Sequence, residues 1–264
     1  MGATARVWRG RIFGALAITA GGLLLGALPL PLAVKLAVVG AGVALAAVLS
    51  FRLIPAFDPL GRVRWRLPAA AGKVCAITFD DGPTAGTAGV LDVLAAQQVK
   101  ATFFVLAENA RRHPELLRRL VADGHTVALH GNTHKKLHRA SDAEVEAELQ
   151  AALATLRGLG VEPAPLYRTP HGVKCGAVFR TARRLGLELW AWSRGVWDTD
   201  RPAPQILVER STRLARSGMV LLLHDGRGDE ERPDVGAMVA ALPGIVEGLR
   251  AAGFAFVTLD RPAA

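Results

Sequence analysis

In the stretch KVCAITFDDGP, Lys73 to Pro83, two adjacent aspartates end a run of β-favouring apolar residues, and Gly82 and Pro83 stop the strand there. Neighbouring carboxylates at the end of a buried strand repel each other unless a cation, a proton or solvent relieves them. Farther along, His130 and His134 follow another apolar run, and Arg168, Trp197 with Asp198, and His224 with Asp225 follow later ones. One carboxylate and two imidazoles make a three-ligand set with an open position for water. That set suits a catalytic divalent ion, Zn²⁺ first, with Co²⁺ or another divalent ion also admissible. The remaining aspartate, lying beside the ion, can take a proton from the bound water. Arg168 can hold that carboxylate charged and oriented, and His224 can give a proton to a leaving group. Singly, each of these residues reads as a solvated turn, a surface histidine or an ordinary ion pair. Their shared position after successive strands is what groups them.

The elements that would position them alternate. From Lys73 onward, short apolar runs (VCAITF, ATFFV, TVAL, PLYR, LELWAW, MVLLL and FAFVTL) are separated by amphipathic segments, the pattern of βα units around a mainly parallel sheet. Pro114 and Gly124 bracket one helix, and Ser141 with Glu144 forms a capping box that opens another. No glycine-rich dinucleotide fingerprint follows the first strand. The expectation is therefore an α/β fold, a distorted or incomplete (β/α) barrel of about seven strands, with its site at the C-terminal strand ends.

The formal charge of +9 does not indicate a nucleic-acid partner, because residues 1–73 hold nine of the 32 Lys and Arg and a single acidic residue, Asp58. Basicity there favours a membrane surface. Two apolar stretches, about 12–34 and 36–54, predict a transmembrane hairpin turned by Pro29 and Pro31, too long for a cleaved signal peptide. The expected organisation is a membrane segment over 1–55, a basic juxtamembrane linker over 56–72 and a catalytic domain over 73–262. Flanking Lys and Arg put both ends of the hairpin, and the domain, on the cytoplasmic side of a bacterial inner membrane; a single span would put the domain outside. The two cysteines, Cys75 and Cys175, have no zinc-type spacing and read as free thiols, although a disulfide between them is compatible with the sequence.

These residues resemble the polysaccharide deacetylases of the NodB-homology group, carbohydrate esterase family 4, over Lys73 to Asp260. TFDDGP matches that family's first motif in full and implies Asp80 as catalytic base and Asp81 as metal ligand. HGNTH resembles the second and implies His130 and His134 as ligands, with Gly131 where a Ser or Thr is usual. RTPHG resembles the third, keeping Arg168, Pro170 and Gly172; the resemblance implies that the backbone N–H of His171 binds an oxyanion while its side chain replaces an aromatic wall. The fourth motif is poorly kept: Gly195 stands for its first Asp, Asp198 remains and Thr199 replaces its Trp, leaving Trp197 and Asp198 as substrate-side candidates. VLLLHD resembles the fifth and implies His224 as general acid.

The implied reaction is metal-dependent hydrolysis of an N-acetyl or other small N-acyl group on an amino sugar of a polysaccharide, peptidoglycan or lipid-linked glycan. A membrane is the only other partner the sequence suggests; no obligate protein partner is evident. The departures leave a second expectation, a membrane-tethered sugar-binding protein that has lost catalysis. A remoter one is a non-haem Fe(II) oxygenase, which also uses two histidines and a carboxylate but leaves the second Asp and His224 unexplained.

Overall fold

A computed structural model describes residues 29–53, 58, 60–68, 72–228 and 230–261, with the side chains of 46–53 excepted. The chain divides into two units, Met1–Ser50 and Phe51–Ala264. In the first, helix α1 runs Leu32–Leu53, starting directly after Pro31, whose carbonyl accepts from the N–H groups of Val34 and Lys35. Lys35 thus lies in the first turn of one continuous helix instead of breaking two. The expected first span, 12–34, falls mostly outside the described residues. Among the described residues no helix is long and apolar enough to cross a membrane.

The second unit is built on parallel strands. They are β1 (Val63–Arg64), β2 (Val74–Asp80), β3 (Thr102–Leu106), β4 (Thr126–Gly131), β5 (Leu166–Tyr167), β6 (Glu188–Trp190), β7 (Arg194–Gly195), β8 (Met219–His224) and β9 (Ala255–Phe256). The sheet order is β1-β6-β5-β4-β3-β2-β8-β7, with β9 also paired to β2. The seven expected strands are present, and β1 and β7 are additional. The helices between them are α2 (Thr87–Ala96), α3 (Ala107–Arg112), α4 (Pro114–Ala122), α5 (Asp142–Gly158), α6 (Gly176–Arg184), α7 (Pro204–Thr212) and α8 (Gly236–Ala251). The Ser141–Glu144 capping box opens α5 as the sequence requires.

The two ends of the sheet nearly meet. Only Ala191, Trp192 and Ser193 separate β6 from β7: Ala191 N–H prolongs the β6–β1 pairing by donating to the Arg64 carbonyl, and Ser193 N–H prolongs the β7–β8 pairing by donating to the Val220 carbonyl. Across the seam Arg66 forms a lone antiparallel bridge to Met219, and Leu67 N–H donates to the Gly218 carbonyl at 2.8 Å. The seam has no continuous ladder, so the barrel stays incomplete. The expected 56–72 linker is therefore corrected: it supplies β1, and Val63 and Leu67 are buried in the cores.

Strand alternation separates two cores. Cys75, Ile77 and Phe79 of β2 pack in the larger core, which lies with the helices, whereas Val74 and Ala76 join Phe104, Ala128, Leu166, Trp190 and Val220 in a smaller one. Parallel strands buried on both faces account for the unbroken apolar runs seen in the sequence. Both cysteines are free. The parallel βα architecture also argues against the oxygenase expectation, since oxygenase sites with that ligand set typically sit in jelly-roll barrels.

Candidate active site

The same alternation aims the polar residues. On β2 the face that carries Val74 and Ala76 continues through Thr78 to Asp80, on β4 Ala128 leads to His130, and on β8 Val220 leads to His224. Asp80 is in register with His224. Three strands thus deliver their last inward residue to one end of the barrel, where a cleft of about 380 Å³ opens. Asp81, one residue past the strand, has φ 74°, a left-handed backbone that turns its carboxylate back toward the histidines.

Asp81 Oδ1 lies 3.1 Å from His130 Nε2 and 3.2 Å from His134 Nε2. These separations are near the roughly 3.3 Å edge of a tetrahedron with bonds of about 2.0–2.1 Å, as zinc makes to N and O ligands. His130 Nδ1 is 2.8 Å from the Arg168 carbonyl, a contact that places the proton on Nδ1 and leaves the Nε2 lone pair facing Asp81. Asp81 Oδ1 is buried without a hydrogen-bond partner, while Oδ2 accepts from Gly228 N–H at 2.8 Å. An orphaned carboxylate oxygen facing two imidazole nitrogens fits a divalent cation. Without an ion, positive charge on the imidazoles does the same work: burial opposes charge on Asp81, yet His130 and His134 hold it well below the usual carboxylate range. Burial likewise opposes charge on His130, and Asp80 and Asp81 outweigh it to raise its pKa.

Asp80 is not part of this triad; its Oδ2 is 3.9 Å from His130 Nε2. Its Oδ1 is held by Arg168 Nη1 at 2.6 Å. The Arg168 guanidinium is 0% exposed, stacks 4.0 Å from the Phe104 ring centroid, and also donates to Thr78 Oγ1 and the Ala191 carbonyl. It spans three strands and can move little. Across the cleft, Asp198 Oδ1 lies 3.0 Å from His224 Nδ1, and its Oδ2 accepts from His224 N–H at 2.7 Å. Burial opposes charge on His224, but Asp198 raises its pKa to about 9, with Asp80 and Asp81 assisting. The glycine at 195 therefore does not leave this histidine without a carboxylate.

His171 lines the cleft with φ 58°, its ring 4.1 Å from that of His134. Trp197 is a correction: it is 63% exposed and is not among the residues lining the cleft. Its left-handed backbone, φ 59°, serves to start the short turn that carries Asp198 inward. The aromatic wall is Trp192, two residues beyond β6 on the face of Trp190, a parity that the LELWAW run already contains.

Three residues support the site: Asp225, which the sequence groups with the others without a role, and Asn109 and Glu148, which the sequence reading missed. Asp225, fully buried, accepts from Gly82 N–H and Thr87 Oγ1, and burial together with Asp81 and Asp80 pushes it up to about 7. Asn109 on α3 donates to the carbonyls of Asp81 and Gly228 at 2.7 and 2.9 Å. Glu148 on α5 accepts from Thr133 N–H and Oγ1, fixing the loop between the two histidine ligands.

A peptidoglycan-N-acetylglucosamine deacetylase of Bacillus cereus is 34% identical over 206 residues, covering 77% of this chain and 93% of that protein. The chain belongs to the polysaccharide deacetylase family. That family's sequence profile matches residues 68–190. A chitooligosaccharide deacetylase of Bradyrhizobium is 37% identical over 207 residues, 75% of this chain and 94% of that protein. Among solved structures, a peptidoglycan N-acetylglucosamine deacetylase in complex with 4-naphthalen-1-yl-N-oxidanyl-benzamide superposes with TM-score 0.72 at 25% identity, covering 78% of this chain and 97% of the other. A family 4 carbohydrate esterase of Streptomyces lividans, in complex with acetate, gives 0.64 at 27%, covering 70% and 92%. The incomplete parallel barrel is thus the half-barrel of carbohydrate esterase family 4. A pseudoenzyme of that family from Bacillus anthracis shares the fold at 20% identity, with TM-score 0.67 and coverage of 76% and 68%.

Proposed function

We propose that this deacetylase removes N-acetyl groups from the amino sugars of a glycan, with peptidoglycan and chitooligosaccharides as the substrate class that its relatives' names indicate. The reading rests chiefly on one observation. A three-ligand set with an unpartnered carboxylate oxygen, Asp81 with His130 and His134, lies between a carboxylate fixed by Arg168 and a histidine fixed by Asp198.

A divalent ion held by Asp81, His130 and His134, with Zn²⁺ the first choice, would polarise the acyl carbonyl and acidify water. Asp80, oriented by Arg168, takes the proton of the attacking water as its oxygen adds to the acyl carbon. The His171 backbone N–H, in the position the third motif gives it, stabilises the developing oxyanion. His224, protonated against Asp198, donates its proton to the nitrogen as the C–N bond breaks, and free amine and acetate leave. Trp192 offers a flat face for a sugar ring.

Acetate release from an N-acetylglucosamine oligomer by the full chain, after chelation and with Zn²⁺ or Co²⁺ restored, tests this. Release is expected only with metal, and Asp80→Asn should lower it by about 10²–10⁴-fold while the ion stays bound. A fully active Asp80→Asn protein would refute the assignment.

We further propose that α1 and the apolar stretch before it anchor the enzyme in a bacterial membrane. Supporting this, Leu32, Val34, Leu36, Val38, Val39, Val43 and Leu45 are all exposed around the helix, an all-round apolar surface that lipid would cover. The flanking charge supports the cytoplasmic side for the catalytic domain, where the amino sugar would belong to a lipid-linked glycan. Labelling of Leu60→Cys by an impermeant thiol reagent in intact cells would overturn that side.

A further inference from the structure

Opposite the active-site cleft, a second cavity of about 260 Å³ is lined by Arg66, Ser193, Arg194, Leu214, Arg216 and Met219. Met219 opens β8 and His224 closes it, so at about 3.3 Å per residue these two lining residues lie roughly 15–20 Å apart along one strand, and where the linings come closest, at Trp192 and Ser193, strand alternation turns the two side chains to opposite faces. Neighbouring arginines are paired: Arg62 with Asp58, Arg64 with Glu188, and Arg213 with Glu209. Arg66, Arg194 and Arg216 have no carboxylate partner among the described residues.

Arg194 is half-buried and fixed by donating Nη2 to the Arg213 carbonyl at 2.8 Å. Burial and the nearby Arg216 hold its pKa below the usual arginine range, an effect an anion in the cavity would relieve. The rim is apolar. Leu214 is 72% exposed on a left-handed backbone with φ 59°, uncommon for a leucine, and Trp65, beside Arg66, is 41% exposed. Guanidinium groups suited to phosphate oxygens, beside a projecting leucine and tryptophan, have the chemistry of a membrane interface.

We infer that this face binds the phosphate headgroups of anionic phospholipids through Arg66, Arg194 and Arg216, with Leu214 and Trp65 entering the interfacial layer. Docked this way, the cleft at the other end of β8 opens away from the bilayer. Taken with the deacetylase reading, on which this consequence rests, the substrate is a glycan chain extending from the surface and not an amino sugar seated among the headgroups.

The test is hydrogen–deuterium exchange on the full chain with nanodiscs of phosphatidylcholine, alone or mixed with phosphatidylglycerol, and separately with inorganic phosphate. Phosphatidylglycerol should slow exchange several-fold at 193–195 and 211–219. Arg66→Glu combined with Arg216→Glu should abolish the effect, since each basic residue contributes about fivefold to affinity at an anionic surface. Equal exchange on both lipids, protection that survives the double substitution, or protection by free phosphate alone would each overturn the inference. Both arginines are exposed and outside the cleft, so the double variant should still deacetylate a soluble chitooligosaccharide. Failure of that hydrolysis in the unsubstituted chain would sink the deacetylase reading while leaving the exchange result intact.

Discussion

Asp198 holds His224 at both its ring and its backbone N–H, and this double grip sets the proton inventory of the cleft. An acid catalyst works while protonated, so with a pKa of about 9 for the ion-free protein, His224 supplies a proton across neutral pH and fails as pH rises through that value. Asp198→Asn removes the main charge that favours protonation and leaves burial opposed only by Asp80 and Asp81. The alkaline limb of the rate profile should then move down by about 1–3 pH units, the usual effect of a neighbouring opposite charge. A limb that stays in place would show that His224 is not the group that titrates. Stability follows the same sign: between about 6.5, the unfolded value, and about 9 the folded state holds a proton that the unfolded chain has lost. The pair's contribution is full below that window and disappears as pH rises through it. Asp80, Asp81, His130, His134, Arg168 and His224 were legible because strand ends and motif spacing fix them. Trp192 and Asn109 were not, because their importance comes from what distant strands bring beside them.

At the scale of elements, a departure that looked like loss in the sequence has a backbone reason. Gly131, where a Ser or Thr is usual, has φ 122°, and a Cβ there would lie 3.0 Å from the Thr133 carbonyl and 3.3 Å from Glu148 Oε1. The loop is held instead by Thr133, whose N–H and Oγ1 donate to Glu148 on α5. Restoring the family residue with Gly131→Ser should therefore harm the enzyme, costing about 1–3 kcal/mol of stability and weakening metal retention in a chelator competition. An unchanged or improved protein would show that the loop can shift freely. The short strand β1 was illegible for a related reason: two residues with flanking arginines carry no periodicity, and only pairing with β6 makes them a strand. Its importance can be measured. A chain beginning at Gly72 loses Val63 and Leu67 from the cores, about 1.5–3 kcal/mol each, so its Tm should fall by at least about 6 °C. An unchanged Tm would return 56–72 to the role of a linker.

The catalytic unit joins a nearly closed sheet to a site assembled from separate strand ends. Asp81 follows β2, His130 ends β4, His134 lies on the loop that α5 secures, and Gly228, which donates to Asp81, follows β8. No single element contains the ligand set, so an ion that binds it couples β2, β4 and the loop beyond β8 and is absent from the unfolded chain. Mass action then makes the ion a stabiliser of the entire fold. At one hundred times its dissociation constant it should add about 2.7 kcal/mol, which for a domain of this size raises Tm by about 5–10 °C. Adding Zn²⁺ to the chelated protein during a thermal melt should show that rise, and His130→Ala should lose it. Loss of the ligand also leaves Asp81 buried with one imidazole fewer, so the variant's own Tm should fall below that of the metal-free parent. Should Zn²⁺ restore activity while leaving Tm unmoved, the activating ion would have to bind elsewhere than between these strand ends, and the triad's unpartnered oxygen would need another explanation.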